Sequence, residues 1–143
     1  MPELPGGLLA GETFATKLGG ITIARCEYPA VFWVQAEGAI TPPLLREDLL
    51  RAEVFAAEHP HGWTYVADVT RVRVVHPMNV FELRRIPGLA HLTQYVIVTP
   101  CAVQRWLIRR GRRFVSPDAL VDTSAEAWAL CESPLTPRGE AAP

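Results

Sequence analysis

Two groups of side chains in this sequence have the types and spacing to do chemistry. The first is Asp68, Thr70, Arg71, Arg73, His76 and Asn79, joined further on by Thr99 and Pro100. Carboxylate, hydroxyl, guanidinium and amide groups in this mixture could hold a polar ligand or a partner. Asp68 with His76 could exchange a proton. The plainer reading is that Asp68 and Thr70 bond their own loop and that His76-Pro77 starts a helix. The second group is Arg105, Arg109, Arg110, Arg112 and Arg113. It could form an anion patch for phosphate groups or an acidic partner. The plainer reading is a solvated helix face whose arginines suit the negative end of the helix dipole before Gly111. Val103, Trp106 and Leu107 would then pack inward.

Other candidates are thinner. Cys101 follows Thr99-Pro100 at the start of a helix and is the one thiol placed for nucleophilic chemistry; the plain alternative is a buried core thiol. His59 and His61 flank Pro60 as half a metal site, but no cysteine or carboxylate motif completes it. Ser116 and Ser124 lack a GxSxG elbow. No catalytic set, metal site or cofactor motif is expected.

These residues need elements to position them. Ile21–Glu27 and Val31–Gly38 alternate apolar and polar residues and read as strands, joined by Tyr28-Pro29-Ala30 into an antiparallel hairpin. Thr41 caps a helix that begins at Pro42, with Leu45, Leu49, Ala52 and Ala56 on one stripe and Glu47–Arg51 as an i,i+4 pair. Trp63–Val69 is a strand, followed by a helix from Pro77 to Ile86. Tyr95–Val98 is a strand, followed by a helix from Cys101 to Arg110. Phe114-Val115 reads as an edge strand. Thr123 and Glu126 form a capping box for a last helix ending near Cys131. Strand–helix alternation of this kind implies right-handed crossovers and a mostly parallel sheet. Ligands of such sheets gather where the strands end, which is the first group of residues. Phe32 and Val34 alternate with Trp33 and Gln35, so one sheet face needs a cover beyond the helices: the N-terminal arm, a dimer mate or a ligand.

The whole chain has 143 residues, 49% of them hydrophobic and 20% charged, which suits one domain. Residues 1–19 read as a flexible arm, 20–132 as the domain, and 133–143 as a disordered tail. The net charge of −1 gives no general attraction to nucleic acid. No apolar run reaches the length of a membrane span. Three widely spaced cysteines and no basic, apolar leader point to a cytoplasmic protein with free thiols.

The order of these elements resembles the STAS domain family, and within it the SpoIIAA-like branch. Tyr65-Val66-Ala67-Asp68-Val69-Thr70 looks like the family's apolar strand ending in Asp-x-Ser/Thr. Tyr95-Val96-Ile97-Val98-Thr99-Pro100 resembles its next strand. Phe114 with Ser124-Ala125-Glu126-Ala127-Trp128 resembles its closing helix. The resemblance implies an α/β fold, a SpoIIAA-like β-α superhelix with a mostly parallel sheet of four to five strands, an initial antiparallel hairpin and four helices. It implies a non-enzymatic module that binds a protein partner or itself. Where related antagonists carry a phosphorylatable serine, this chain has His76-Pro77-Met78-Asn79, with no hydroxyl to modify. The branch is also similar to lipid-transfer proteins in fold, which leaves a carrier or sensor of a small apolar ligand as the alternative, with Phe81, Leu83, Ile86 and Trp106 as lining. An enzyme using Cys101 or the Asp68/His76 rim is the third reading.

Overall fold

Alternation along two strands builds the centre of the molecule. β2 (Gly19–Cys26) and β3 (Val31–Ile40) pair antiparallel, with Ile23 opposite Val34 and Ala24 opposite Trp33. The computed structural model describes residues 7–113 and 115–133. β4 (Trp63–Val75) runs parallel to β3, β5 (Leu92–Val98) parallel to β4, and β6 (Ala119–Val121) parallel to β5. β1 (Leu9–Ala15) closes the other edge, antiparallel to β2. The sheet therefore has six strands, in chain order.

The expected α/β sheet is present, with three departures. Leu9–Ala15 is a strand rather than part of a flexible arm. Its ladder with β2 satisfies backbone groups that an edge would leave open. β4 continues six residues past Val69, because β3 extends to meet it: Glu37 pairs with Arg71 and Ile40 with Val75. Gly38, at φ 69°, allows the irregular step in β3 that keeps this pairing. Finally, the edge strand is Ala119–Val121, not Phe114-Val115; Val115 is outside any strand and Phe114 lies outside the described residues. So do residues 1–6 and the tail from 134.

The helices follow the sequence less evenly. α1 (Pro42–Glu58) buries Leu45, Leu49, Ala52 and Ala56 as their spacing requires, and Arg51 meets Glu47 at 2.5 Å. Thr41 stands at its N-cap without a side-chain bond. The expected helix from Pro77 to Ile86 is broken. A 3-10 turn over Pro77–Asn79 leads into α2 (Val80–Leu83), and a second turn covers Ile86–Gly88. Pro87 biases Ile86 away from a continuing helix. α3 (Ala102–Arg110) and α4 (Ser124–Glu132) match their expected spans, and Thr123 Oγ1 accepts the Glu126 N–H at 3.1 Å.

The two sheet faces carry separate cores. Phe32, Val34, Tyr65 and Ile97 face α1. Val31, Trp33, Val66 and Val96 face the other way, where Ala127 and Cys131 of α4 and Leu8 cover them. The face that needed a cover thus receives it from α4 and the N-terminal segment. No helix among the described residues is long and apolar enough to cross a membrane.

Candidate functional site

The strand-end residues do not assemble into one site. Asp68, Thr70 and Arg71 line a pocket of about 250 Å³ with Gln35, Asp122 and Ser124. Within it Asp68 Oδ1 accepts the Thr70 N–H at 3.0 Å, and Ser124 Oγ lies 3.5 Å from Asp68 Oδ2. The Gln35 side-chain amide has no partner on either atom. Arg73 stands apart on the extension of β4, and with Arg71 it lines an open depression beside the β1–β2 turn. His76 Nδ1 accepts the Met78 N–H at 3.1 Å, which makes it a cap for the turn that follows. Thr99 is buried and donates to Gln104. Asn79 faces a different space altogether.

That space is an apolar cavity of about 370 Å³, half open to solvent, between the sheet and α1, α2 and α3. Its floor is Ile21, Val34, Ala36, Tyr65, Ala67, Val69 and Ile97; its walls include Leu45, Val80, Leu83 and Ile86. Among the described residues no arginine, lysine or histidine lines it. Its polar side chains are Asp48, Asn79, Gln104, Tyr65 and Tyr95. Asp48 of α1 is fully buried; its Oδ2 accepts the Tyr65 hydroxyl, and its Oδ1 has no partner. Asn79 is also fully buried; its Nδ2 donates to the Ile40 carbonyl at 2.8 Å, and its Oδ1 has no partner. Each unmet buried acceptor costs about 1–3 kcal/mol. Burial pushes the Asp48 carboxyl up to about 7, a rise that the Tyr65 hydrogen bond opposes. Burial also pushes Tyr65 up, with the Asp48 carboxyl adding to the effect.

α2 and α3 bound this cavity in unlike ways. Arg85 pairs with Glu53 at 2.6 Å and Arg46 with Glu82 at 3.1 Å, tying the α2 segment to α1. α3 has no buried residue. Val103, Trp106 and Leu107, expected inward, are exposed by 65%, 58% and 56%. The expectation fails because a polar residue holds the helix down. Gln104 Nε2 donates to the carbonyls of Val69 and Val72, each at 3.1 Å, and its Oε1 accepts the Thr99 hydroxyl. Those carbonyls lie on β4 near where it outruns β5, so an amide satisfies them better than an apolar side chain. Leu107 and Ile108 then roof the cavity rather than fill it.

The remaining sequence candidates fall outside the cavity. Arg105 does not join its neighbours: it donates to the Thr99 carbonyl at 2.8 Å and pairs with Asp122. Arg109, Arg110, Arg112 and Arg113 are exposed, and Arg110 lies over the Trp106 ring. Cys101 is exposed at the N-cap of α3, not buried in the core. His59 is engaged on both ring nitrogens, by Glu27 Oε2 at 2.6 Å and the Phe55 carbonyl at 2.8 Å, while His61 is exposed. Of the expected lining, Leu83 and Ile86 face the cavity, whereas Phe81 and Trp106 face solvent. Sequence reasoning missed Asp48. The signal was available: it sits between Leu45 and Leu49 on the buried stripe of α1, where a carboxylate has no solvent.

With this geometry in hand, comparison with known proteins informs the fold. No protein family matches the sequence, and no curated protein does. Among solved structures, an uncharacterised protein of the DUF3478 family from Shewanella loihica PV-4, described as having a SpoIIAA-like fold, superposes with a TM-score of 0.61. The match covers 82% of this chain and 98% of that one, at 14% identity. The chain has a SpoIIAA-like fold. At that identity the similarity concerns backbone architecture alone. The SpoIIAA-like fold accounts for the initial antiparallel hairpin and the parallel strands that follow. It leaves the chemistry of the cavity to this chain's own residues.

Proposed function

We propose that this SpoIIAA-like protein is a non-enzymatic module of the cytoplasm that binds a small apolar molecule beneath α3. One observation carries the reading: a cavity of about 370 Å³ with an almost wholly apolar lining. The space is half open to solvent, and concave apolar clefts of about 300–1,000 Å³ are where small molecules usually bind. A dry cavity of about 150 Å³ already accepts a benzene ring. Filling the space recovers dispersion contacts that its lining now lacks. The roof supports an entry path. α3 is held by Gln104 and Arg105 and lays Ile108 against the core, but none of its residues is fully buried, so lifting it exposes little buried hydrophobic surface. Three unpaired cysteines fit a reducing compartment.

Native mass spectrometry of gently purified protein tests this. A small-molecule adduct lost on solvent extraction, or saturable uptake of a phenyl-naphthylamine probe, is expected. Repeated absence of both contradicts the reading.

A second reading is an interaction module for a protein partner or a second copy of this chain, without the phosphoserine switch. The exposed Val103, Trp106 and Leu107 of α3 favour it, since apolar side chains clustered on one helix mark contact surfaces. Sedimentation equilibrium separates the two. A monomer that takes up the probe supports the first; a dimer disrupted by Trp106→Glu supports the second.

A further inference from the structure

The opening of the cavity is built from apolar side chains that remain exposed. Val75 at the end of β4 and Leu107 of α3 both line the space and are both more than half exposed, so they stand at its mouth. Phe81 follows the lining residue Val80 on the α2 wall, and Trp106 precedes Leu107 on the α3 wall; both rings are more than half exposed. In α3 the spacing explains this. Gln104, Leu107, Ile108 and Gly111 share one helical face and border the cavity, which leaves Val103, Trp106 and Arg110 on an outer face. The Arg110 guanidinium lies 5.3 Å from the centre of the Trp106 ring there.

The end of α3 supplies charge. Arg109, Arg110, Arg112 and Arg113 are exposed, and among the described residues none of them is ion-paired. Residues 99–117 hold five arginines and no carboxylate, in a chain whose net charge is −1, so the basic character is local to this wall. Exposed rings and aliphatic groups beside arginines match the layered chemistry of a lipid surface. The apolar groups enter the headgroup boundary while the guanidiniums stay with the phosphates. A protein seated here would close the mouth that an apolar ligand must pass, whereas a bilayer is itself a store of such ligands.

We propose that the cavity mouth docks on an anionic lipid bilayer, with Phe81, Trp106 and Leu107 entering the headgroup boundary and the arginines at the end of α3 holding lipid phosphates. This rests on the ligand-site reading for what crosses the mouth, and adds where that ligand comes from.

Flotation of the full chain with vesicles of phosphatidylcholine alone, and with a quarter of the lipid replaced by phosphatidylglycerol, is the test. Binding to the anionic vesicles is expected to be about tenfold tighter or more, and to fall steeply in about 0.5 M sodium chloride. Trp106→Glu, and separately Arg109→Glu combined with Arg112→Glu, should each weaken it about tenfold while leaving the circular dichroism unchanged. Equal binding to both vesicles, binding to neither, or variants that bind as the wild type overturn the proposal. So does a dimer that Trp106→Glu dissociates and that ignores vesicles, which assigns the surface to a second copy of this chain. The two readings fail separately. Vesicle binding by a protein that takes up no phenyl-naphthylamine in the absence of lipid keeps the docking surface and removes the ligand site. Uptake without vesicle binding does the reverse.

Discussion

Trp33 and Tyr65 stand on neighbouring strands of one sheet and are equally buried, yet their surroundings are opposites. Trp33 lies in the buried cluster with Leu8, Ala127 and Cys131. Its indole N–H has no hydrogen-bond partner among the described residues. Tyr65 looks into about 370 Å³ of space and donates to Asp48 at its edge. The difference lies in how the covering helices are attached. α4 inserts small residues, Ala127 and Cys131, into the core on this face, and burial pushes the Cys131 thiol up to about 12. α3 is anchored through an amide, turns Val103 and Trp106 to solvent and lays Ile108 over the cavity. Both faces of the sheet carry a packed core, and the α1 face also borders an apolar cavity.

Substitutions should read out this contrast. The largest effect belongs to Trp33→Ala, which removes a fully buried ring from the packed face. It should cost about 3–5 kcal/mol in urea unfolding. A loss under about 1 kcal/mol would mean that this face is not tightly packed.

The pH profile comes next. Burial raises Asp48 from 3.8 to about 7, so between those values the folded protein binds more protons than the unfolded chain. Its contribution is complete below the lower value and falls as pH rises through the upper one, by at most about 4 kcal/mol. Asp48→Asn should flatten that slope. A slope that survives the substitution assigns it to another group.

Adding volume should then separate the faces in the opposite sense. Ala127→Leu overfills the packed face and should cost about 1–3 kcal/mol. Ala67→Leu projects into the cavity and should cost less than about 1 kcal/mol, while abolishing probe uptake. Equal costs would mean the hollow is not there. Gln104→Leu removes the polar anchor of α3 and should cost about 1–2 kcal/mol. Its sharper signature is faster amide exchange across 102–110, with the amides of α4 unchanged. The smallest effect is for Trp106→Ala, within about 0.5 kcal/mol of wild type. A loss of several kcal/mol would show that the ring packs inward after all.

Much of the architecture was legible. The stripe in α1, the Thr123 cap of α4 and the apolar run of β5 each have one low-energy reading, and each formed as its spacing requires. The strand-end rim was legible as residues but not as a site. β4 runs on to Val75 and carries Arg71 and Arg73 past the end of β5, and no local pattern announces a strand that outgrows its neighbour. α3 was misread for a different reason. Periodicity says which residues share a face; it does not say which face turns inward when a single glutamine can satisfy two open carbonyls. Asp48 was visible as a carboxylate in an apolar stripe. Its unpartnered oxygen required the fold to be seen.

Titration of isotope-labelled protein with decanol, followed through its methyl resonances, reaches the central issue most directly. Saturable shifts confined to Val69, Val72, Leu83 and Ile108, with Val31, Val66 and Val96 unmoved, are the expected outcome. Shifts spread equally over both sets, or none that saturate, would contradict a ligand site on the hollow face.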